Sequence, residues 1–196
     1  MTGSTLNMHY TIADPKTFGI SEYEPVLPIY HSGQPEDSKE HCSDLLHRLD
    51  RIDPDRLSPE NAYTYRLLHR SLENDLALAD FPYYNEPLSP SSGMQSQLPV
   101  LLAEYTFRTK RDVTDYLALL DQIDDYFSSL LLYEQEKAAA GFFMPACSSE
   151  KVRKQCDTIV TTEELAQGTH FLQTTFEDRL SELQKQGLFT PKETAS

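Results

Sequence analysis

From Val113 to Ala140 apolar side chains return every third or fourth residue, at Tyr116, Leu117, Leu120, Ile123, Phe127, Leu130 and Leu131. That spacing lines one face of an α-helix, whereas a strand would alternate with period two. Thr109 with Asp112 reads as a cap at its start, and Gly141 is placed to take the left-handed conformation that closes its end. The same period recurs at Cys42, Leu45, Leu46, Leu49 and Ile52, in a helix expected from Glu36 and ended by Asp53-Pro54. It recurs again at Tyr65, Leu68, Leu72, Leu76 and Ala79, behind Ser58-Pro59-Glu60, which offers a cap, a first-position proline and an acid at the positive end of the dipole. The short link from Asp53 to Leu57 makes these two helices antiparallel neighbours. Further helices are expected over Gln95 to Glu104, from a Ser148 or Ser149 cap through Val160, and from Phe171 to a stop at Gly187. No stretch alternates between hairpin signals, so the expected class is all-α, an irregular bundle of about six helices. It reads as a single domain over 1–196, with an irregular N-terminal segment at 1–35 and a long ordered loop rich in Pro, Ser and Tyr at 81–94.

Hydrophobic residues make up 39% and charged residues 24% of the 196, too apolar a mixture for a disordered chain. Against 31 acidic residues stand only 17 Lys and Arg, a formal net charge of -14, so phosphate backbones are repelled and nucleic-acid binding is excluded as a main role. No stretch approaches the roughly 20 apolar residues of a membrane span, and no basic-then-apolar leader opens the chain, which reads as cytoplasmic as given. Cys42, Cys147 and Cys156 are an odd number without a two-residue spacing, so neither a disulfide framework nor a zinc knuckle is expected. Cys42 and Cys156 each fall on an apolar helix face, where a thiol serves as a small hydrophobe.

The six histidines, His9, His31, His41, His47, His69 and His170, contain no pair four residues apart, the step that aims two imidazoles at one metal from a single helix. His69 and Glu73 have that step but read as a surface helix pair. Glycine elbows for a nucleophilic serine and glycine loops for phosphate are absent. The acids at Asp121, Asp124 and Asp125, and at Glu163 and Glu164, read as solvated helix faces. Tyr83, Tyr84 and the prolines around them are open to two readings: the lining of a groove for a peptide or small ligand, or an ordered connector packed on the bundle.

Several longer runs carry a resemblance. Leu6 to Pro15 (LNMHYTIADP), Leu57-Ser58-Pro59-Glu60-Asn61, Asp80-Phe81-Pro82-Tyr83-Tyr84, Leu88 to Tyr105 (LSPSSGMQSQLPVLLAEY) and Glu134 to Met144 (EQEKAAAGFFM) are similar to the bacterial family catalogued as domain of unknown function 885. The resemblance covers nearly the whole chain. It implies a largely helical fold and a zinc-dependent peptidase whose metal and general base lie on a His-Glu helix in the C-terminal part. That motif is absent here, so the resemblance assigns this chain no catalytic residue, no metal ligand and no cofactor of its own, and zinc only to the full-length protein. The chain then resembles an N-terminal-side fragment, in line with the capping-box residues Thr190-Pro191-Lys192-Glu193 just before Ser196. Within that picture the region from Tyr83 to Tyr105 forms one wall of the substrate cleft, with Tyr83, Tyr84, Gln95, Gln97, Glu104 and Tyr105 as its candidate contacts. The expected partners are a peptide substrate, when the fragment is joined to the rest, and a second copy of the chain through an exposed apolar face. The alternative is a stand-alone acidic helical module that binds another protein.

Overall fold

The helical period is realised throughout. The computed structural model describes residues 5–30 and 34–189, and in them nine α-helices and three 3-10 turns occur without a strand. The helices are α1 (Thr5–Thr11), α2 (Gln34–Leu49), α3 (Pro59–Leu78), α4 (Met94–Ala103), α5 (Lys110–Asp121), α6 (Ile123–Ala139), α7 (Ala146–Ile159), α8 (Thr162–Gln167) and α9 (Phe171–Lys185). The all-α expectation therefore holds. The capping-box residues Thr190 to Glu193 lie outside the described residues.

The helix ends follow local chemistry. Ser58 accepts a hydrogen bond from the Asn61 N–H with Pro59 at the first position, and Thr109 and Asp112 form a complete capping box. Gly141 and Gly187 take φ of 88° and 75°, the left-handed region that a side chain disfavours.

The described residues hold nine helices rather than about six, and the N-terminal segment expected to be irregular contains α1, because a seven-residue helix is too short for a period to reveal it; three further features depart from the expected pattern. The long helix expected from Val113 to Ala140 is two helices, broken at Gln122. The Gln122 side chain turns away to meet an extended stretch of the N-terminal segment, its Nε2 donating to the Pro25 carbonyl (2.8 Å) and its Oε1 accepting from the Leu27 N–H (2.9 Å). One side-chain amide thus holds a carbonyl and an N–H of this extended stretch, and Arg111 donates to the Tyr23 carbonyl at 2.7 Å. The helix expected from a Ser148 or Ser149 cap begins earlier, at Ala146, after Pro145. Cys156, expected on its apolar face, is exposed, because that face carries Val152 and Gln155 instead, the latter donating to the Pro90 carbonyl at 2.9 Å.

The chain forms two compact units, with the division falling inside α6. The larger comprises Met1–Ile29, Glu86–Leu131 and Phe143–Ser196, the smaller Tyr30–Asn85 and Leu132–Phe142. In the larger, α4 packs on α7 and α9, with Leu98, Leu102, Leu119, Tyr116 and Leu183 buried almost completely. The guanidinium of Arg179 lies over the rings of Phe107 (4.6 Å) and Tyr116 (5.0 Å) and donates to the carbonyls of Leu102 and Tyr105 at the end of α4. The Leu102 carbonyl also accepts from the Tyr105 N–H at 3.3 Å, and the cation adds a further donor at the helix end. In the smaller unit α2 and α3 are antiparallel, with Cys42, Leu49 and Leu72 buried between them and the partly buried Leu45, Leu46, Tyr65 and Leu76 packed around.

Candidate functional site

The smaller unit carries a groove of about 940 Å³, which is within the size range of small-molecule and peptide sites. Its wall begins where α3 stops. Pro82 cannot continue the helix, and Pro82–Tyr84 forms a 3-10 turn instead. Such a turn leaves carbonyls without helical partners. Tyr133 and Lys137, one helical turn apart on α6, supply them: the Tyr133 hydroxyl lies 2.7 Å from the Pro82 carbonyl and 3.1 Å from that of Asn85, and the Lys137 ammonium donates to Asn85 at 3.2 Å. The turn is thereby held in one shape, and its side chains with it.

Those side chains belong to a run of six rings. Tyr30 meets Tyr133 (centroids 5.3 Å apart), Tyr133 meets Tyr83 (6.0 Å), Tyr83 meets Phe142 (5.9 Å), Phe142 meets Tyr84 (5.8 Å) and Tyr84 meets Phe81 (5.4 Å). All are tilted or edge-on, the geometry that ring quadrupoles favour. Yet Phe81 and Tyr84 remain 53% and 72% exposed, which is unusual for side chains so well contacted and leaves their faces open to a ligand.

The groove also has a polar lining. Lys39 of α2 pairs with Asp80 at 2.7 Å, and that hydrogen bond raises the lysine pKa. Glu36, Asp75 and Glu136 also line the groove. Cys42 reaches it as a buried thiol, and burial followed by the Asp75 charge pushes its pKa up, so it stays protonated and a weak nucleophile. The arrangement is suited to holding a ligand by ring faces and charge.

Of the six candidate contacts, Tyr83 and Tyr84 line this groove, and the other four belong to the larger unit. Gln95 is buried, donating to the Ser89 carbonyl (2.7 Å) and to Gln155 Oε1 (2.9 Å), while its own Oε1 lacks a partner. Tyr105 is wholly buried with its ring stacked on His9 at 3.7 Å, and burial pushes its hydroxyl pKa far up. Gln97 and Glu104 are exposed. Sequence reasoning missed Tyr30, Tyr133 and Phe142, which lie outside the ring-dense stretch, the first about 50 positions before it and the other two about 50 to 60 after it; only the cluster Phe81 to Tyr84 was dense enough in rings to be seen.

Among the described residues no three His, Cys, Asp or Glu side chains gather closely enough to hold a metal ion. The histidines show why. Both ring nitrogens of His69 face carboxylates, Asp50 at 3.2 Å and Glu73 at 3.5 Å. His170 uses one nitrogen to cap α9 through the Leu172 N–H and the other on the Ile159 carbonyl. His9 lies between Arg108 and Asp112. The described residues do not fit a catalytic zinc, which needs three protein ligands around an open position.

The sequence profile of a family described as "Bacterial protein of unknown function (DUF885)" matches residues 16–194. No curated protein and no solved structure matches the chain.

Proposed function

Because the chain belongs to the DUF885 family, we propose that it supplies the scaffold and a peptide-binding wall of a zinc peptidase, and that the ring-lined groove of the smaller unit is that wall. The observation that carries this reading is the six-ring run on a turn held rigid by Tyr133 and Lys137. Rings already ordered before binding lose little entropy when a peptide settles on them. Hydrolysis belongs to metal ligands outside the described residues. In this reading the 196-residue chain binds unstructured peptides and cleaves none, while a longer family chain carrying a His-Glu helix does both. Calorimetric titration of the chain with a blocked aromatic pentapeptide tests the binding. Tyr84→Ala should weaken it at least about tenfold, the scale of one interface anchor. Equal binding by wild type and variant would reject the groove as the peptide site.

A second reading, an acidic helical module that docks on another protein or on a second copy, draws on Tyr63, Leu67 and Leu78, which α3 leaves 58%, 54% and 62% exposed. Sedimentation at rising concentration tests the self-associating form: a constant monomer mass counts against it.

A further inference from the structure

The groove's charge points to what it selects. Its walls bring together four carboxylates from different elements: Glu36 in the first turn of α2, Asp75 in the last turn of α3, Asp80 just after it, and Glu136 on α6. One of the four is neutralised by Lys39. Glu36, Asp75 and Glu136 have no ion-pair partner among the described residues. Acids elsewhere are of both kinds, Asp44 being paired with Arg48 while Glu60 and Asp124 have no ion-pair partner among the described residues; what sets the groove apart is that its acids share one cavity with aromatic rings. Four carboxylates line the groove, with Lys39 as the one Lys or Arg among its described lining residues, so the cavity carries a net negative charge that favours an entering cation. The rings beside them act in the same direction. The face of a tyrosine or phenylalanine is the negative end of its quadrupole and attracts an organic cation, the more so when water is displaced.

Lys39 supplies a precedent inside the molecule, since its ammonium is held by Asp80 at the edge of this same cavity. A lysine or arginine side chain would add an apolar stem able to lie along the rings of Tyr83 and Tyr84 while its charged end meets the carboxylates.

We infer that the groove selects a peptide segment carrying a lysine or arginine side chain, with Glu36, Asp75 and Glu136 reading the charge and Tyr83 and Tyr84 packing the stem. This rests on the reading of the groove as a peptide site and names the class of peptide it takes.

The test uses the full 196-residue chain and pentapeptides acetylated at one end and amidated at the other, so that the central side chain is the sole cation. Ac-Ala-Phe-Arg-Phe-Ala-amide is compared by calorimetry with its citrulline isostere, which keeps shape and loses charge, and with its glutamate counterpart. Arginine should bind about tenfold tighter than citrulline, the advantage that one cation gains from rings and carboxylates together. Glutamate should bind most weakly. In the triple variant Glu36→Gln, Asp75→Asn, Glu136→Gln the arginine-to-citrulline ratio should fall to about one. A control triple at acids that do not line the groove, Asp44→Asn, Glu60→Gln and Glu73→Gln, should keep the ratio. Circular dichroism melts confirm that both triples fold, and the single variant Glu136→Gln serves if either does not. Equal binding of arginine and citrulline peptides to the wild type would overturn the charge selection while leaving the peptide groove standing. Failure of all three peptides to bind would overturn the groove reading itself. A ratio lost equally in both triples would show general attraction to an acidic protein and overturn the inference.

Discussion

The two compact units build their cores from different side chains, although both also expose rings, Phe18 and Phe143 among them in the larger. In the larger unit Tyr105, Tyr116 and Tyr126 are at most 2% exposed, and Arg179 is laid across Phe107 and Tyr116 at the end of α4. In the smaller unit the buried cluster consists of Cys42, Leu49 and Leu72, while Phe81 and Tyr84, more than half exposed, line a groove. A ring inside contributes by displacing water from a large apolar surface, about 25 cal/mol per Å². A ring at the surface forgoes most of that gain and keeps its face open to solvent. The difference teaches that the larger unit draws its core from rings, whereas the smaller one builds its core from a thiol and aliphatic side chains and leaves rings at its surface.

The largest blow to the larger unit should come from Gly93→Ala. A Cβ there would stand 2.0 Å from Gln95 Oε1 and 2.3 Å from the backbone nitrogen of Ser89, and the backbone cannot yield as a side chain can. A loss of roughly 3 kcal/mol or more is expected in urea unfolding, at the upper end of over-packing effects. The comparison sharpens with two leucines. Leu119→Ala, from a position with no exposure, should cost about 3 kcal/mol, and Leu72→Ala, at 6% exposure in the thinner core, about 2 kcal/mol. An equal or larger cost at Leu72 would contradict the contrast between the units.

A pH dependence on the acid side of neutrality should follow in the larger unit. Burial holds the His9 pKa below its ordinary 6.5, with Arg108 adding to the shift and Asp112 opposing it. The unfolded chain then takes up a proton at His9 more readily than the folded one. Stability is complete above about pH 6.5 and falls as the pH drops from there through the folded pKa, by at most about 1.4 kcal/mol per pH unit for one proton. His9→Gln should flatten that slope between pH 5 and 7 in thermal melts, and an unchanged slope would assign it to another group.

The smallest effects belong to the groove. Tyr133→Phe removes the hydroxyl from the Pro82 and Asn85 carbonyls, at a cost of about 1 kcal/mol, and should loosen the turn enough to weaken peptide binding. Tyr84→Ala should change stability by less than about 0.5 kcal/mol, because the side chain is 72% exposed, while it removes most of the binding. Destabilisation as large as at Leu72 would make Tyr84 a packing residue.

How far the sequence could be read depended on how local the cause was. Ser58 with Pro59, the Thr109–Asp112 box and Gly141 act within a few residues, and each ended a helix where expected. The break at Gln122 was invisible, because its cause lies 95 and 97 positions away at Leu27 and Pro25. Val152 and Gln155, rather than Cys156, face inward on α7 because Gln155 is drawn to Pro90 and Gln95, 65 and 60 positions away. For the candidate site, the density of rings from Phe81 to Tyr84 was legible, but Gln95 and Tyr105, drawn from the same stretch of chain, lie in the larger unit and are buried.

The amino-acid sequence by itself determined the helical class, most helix ends and the acidic surface, since period, caps and charge count are properties of neighbours along the chain. Only the tertiary structure decided which tyrosines became core and which became groove. Tyr83 and Tyr105 are the same residue type in one continuous region, yet one lies against Tyr133 and Phe142 and the other beneath His9. A side chain's burial depends on which distant segments cover it, and no local pattern encodes that.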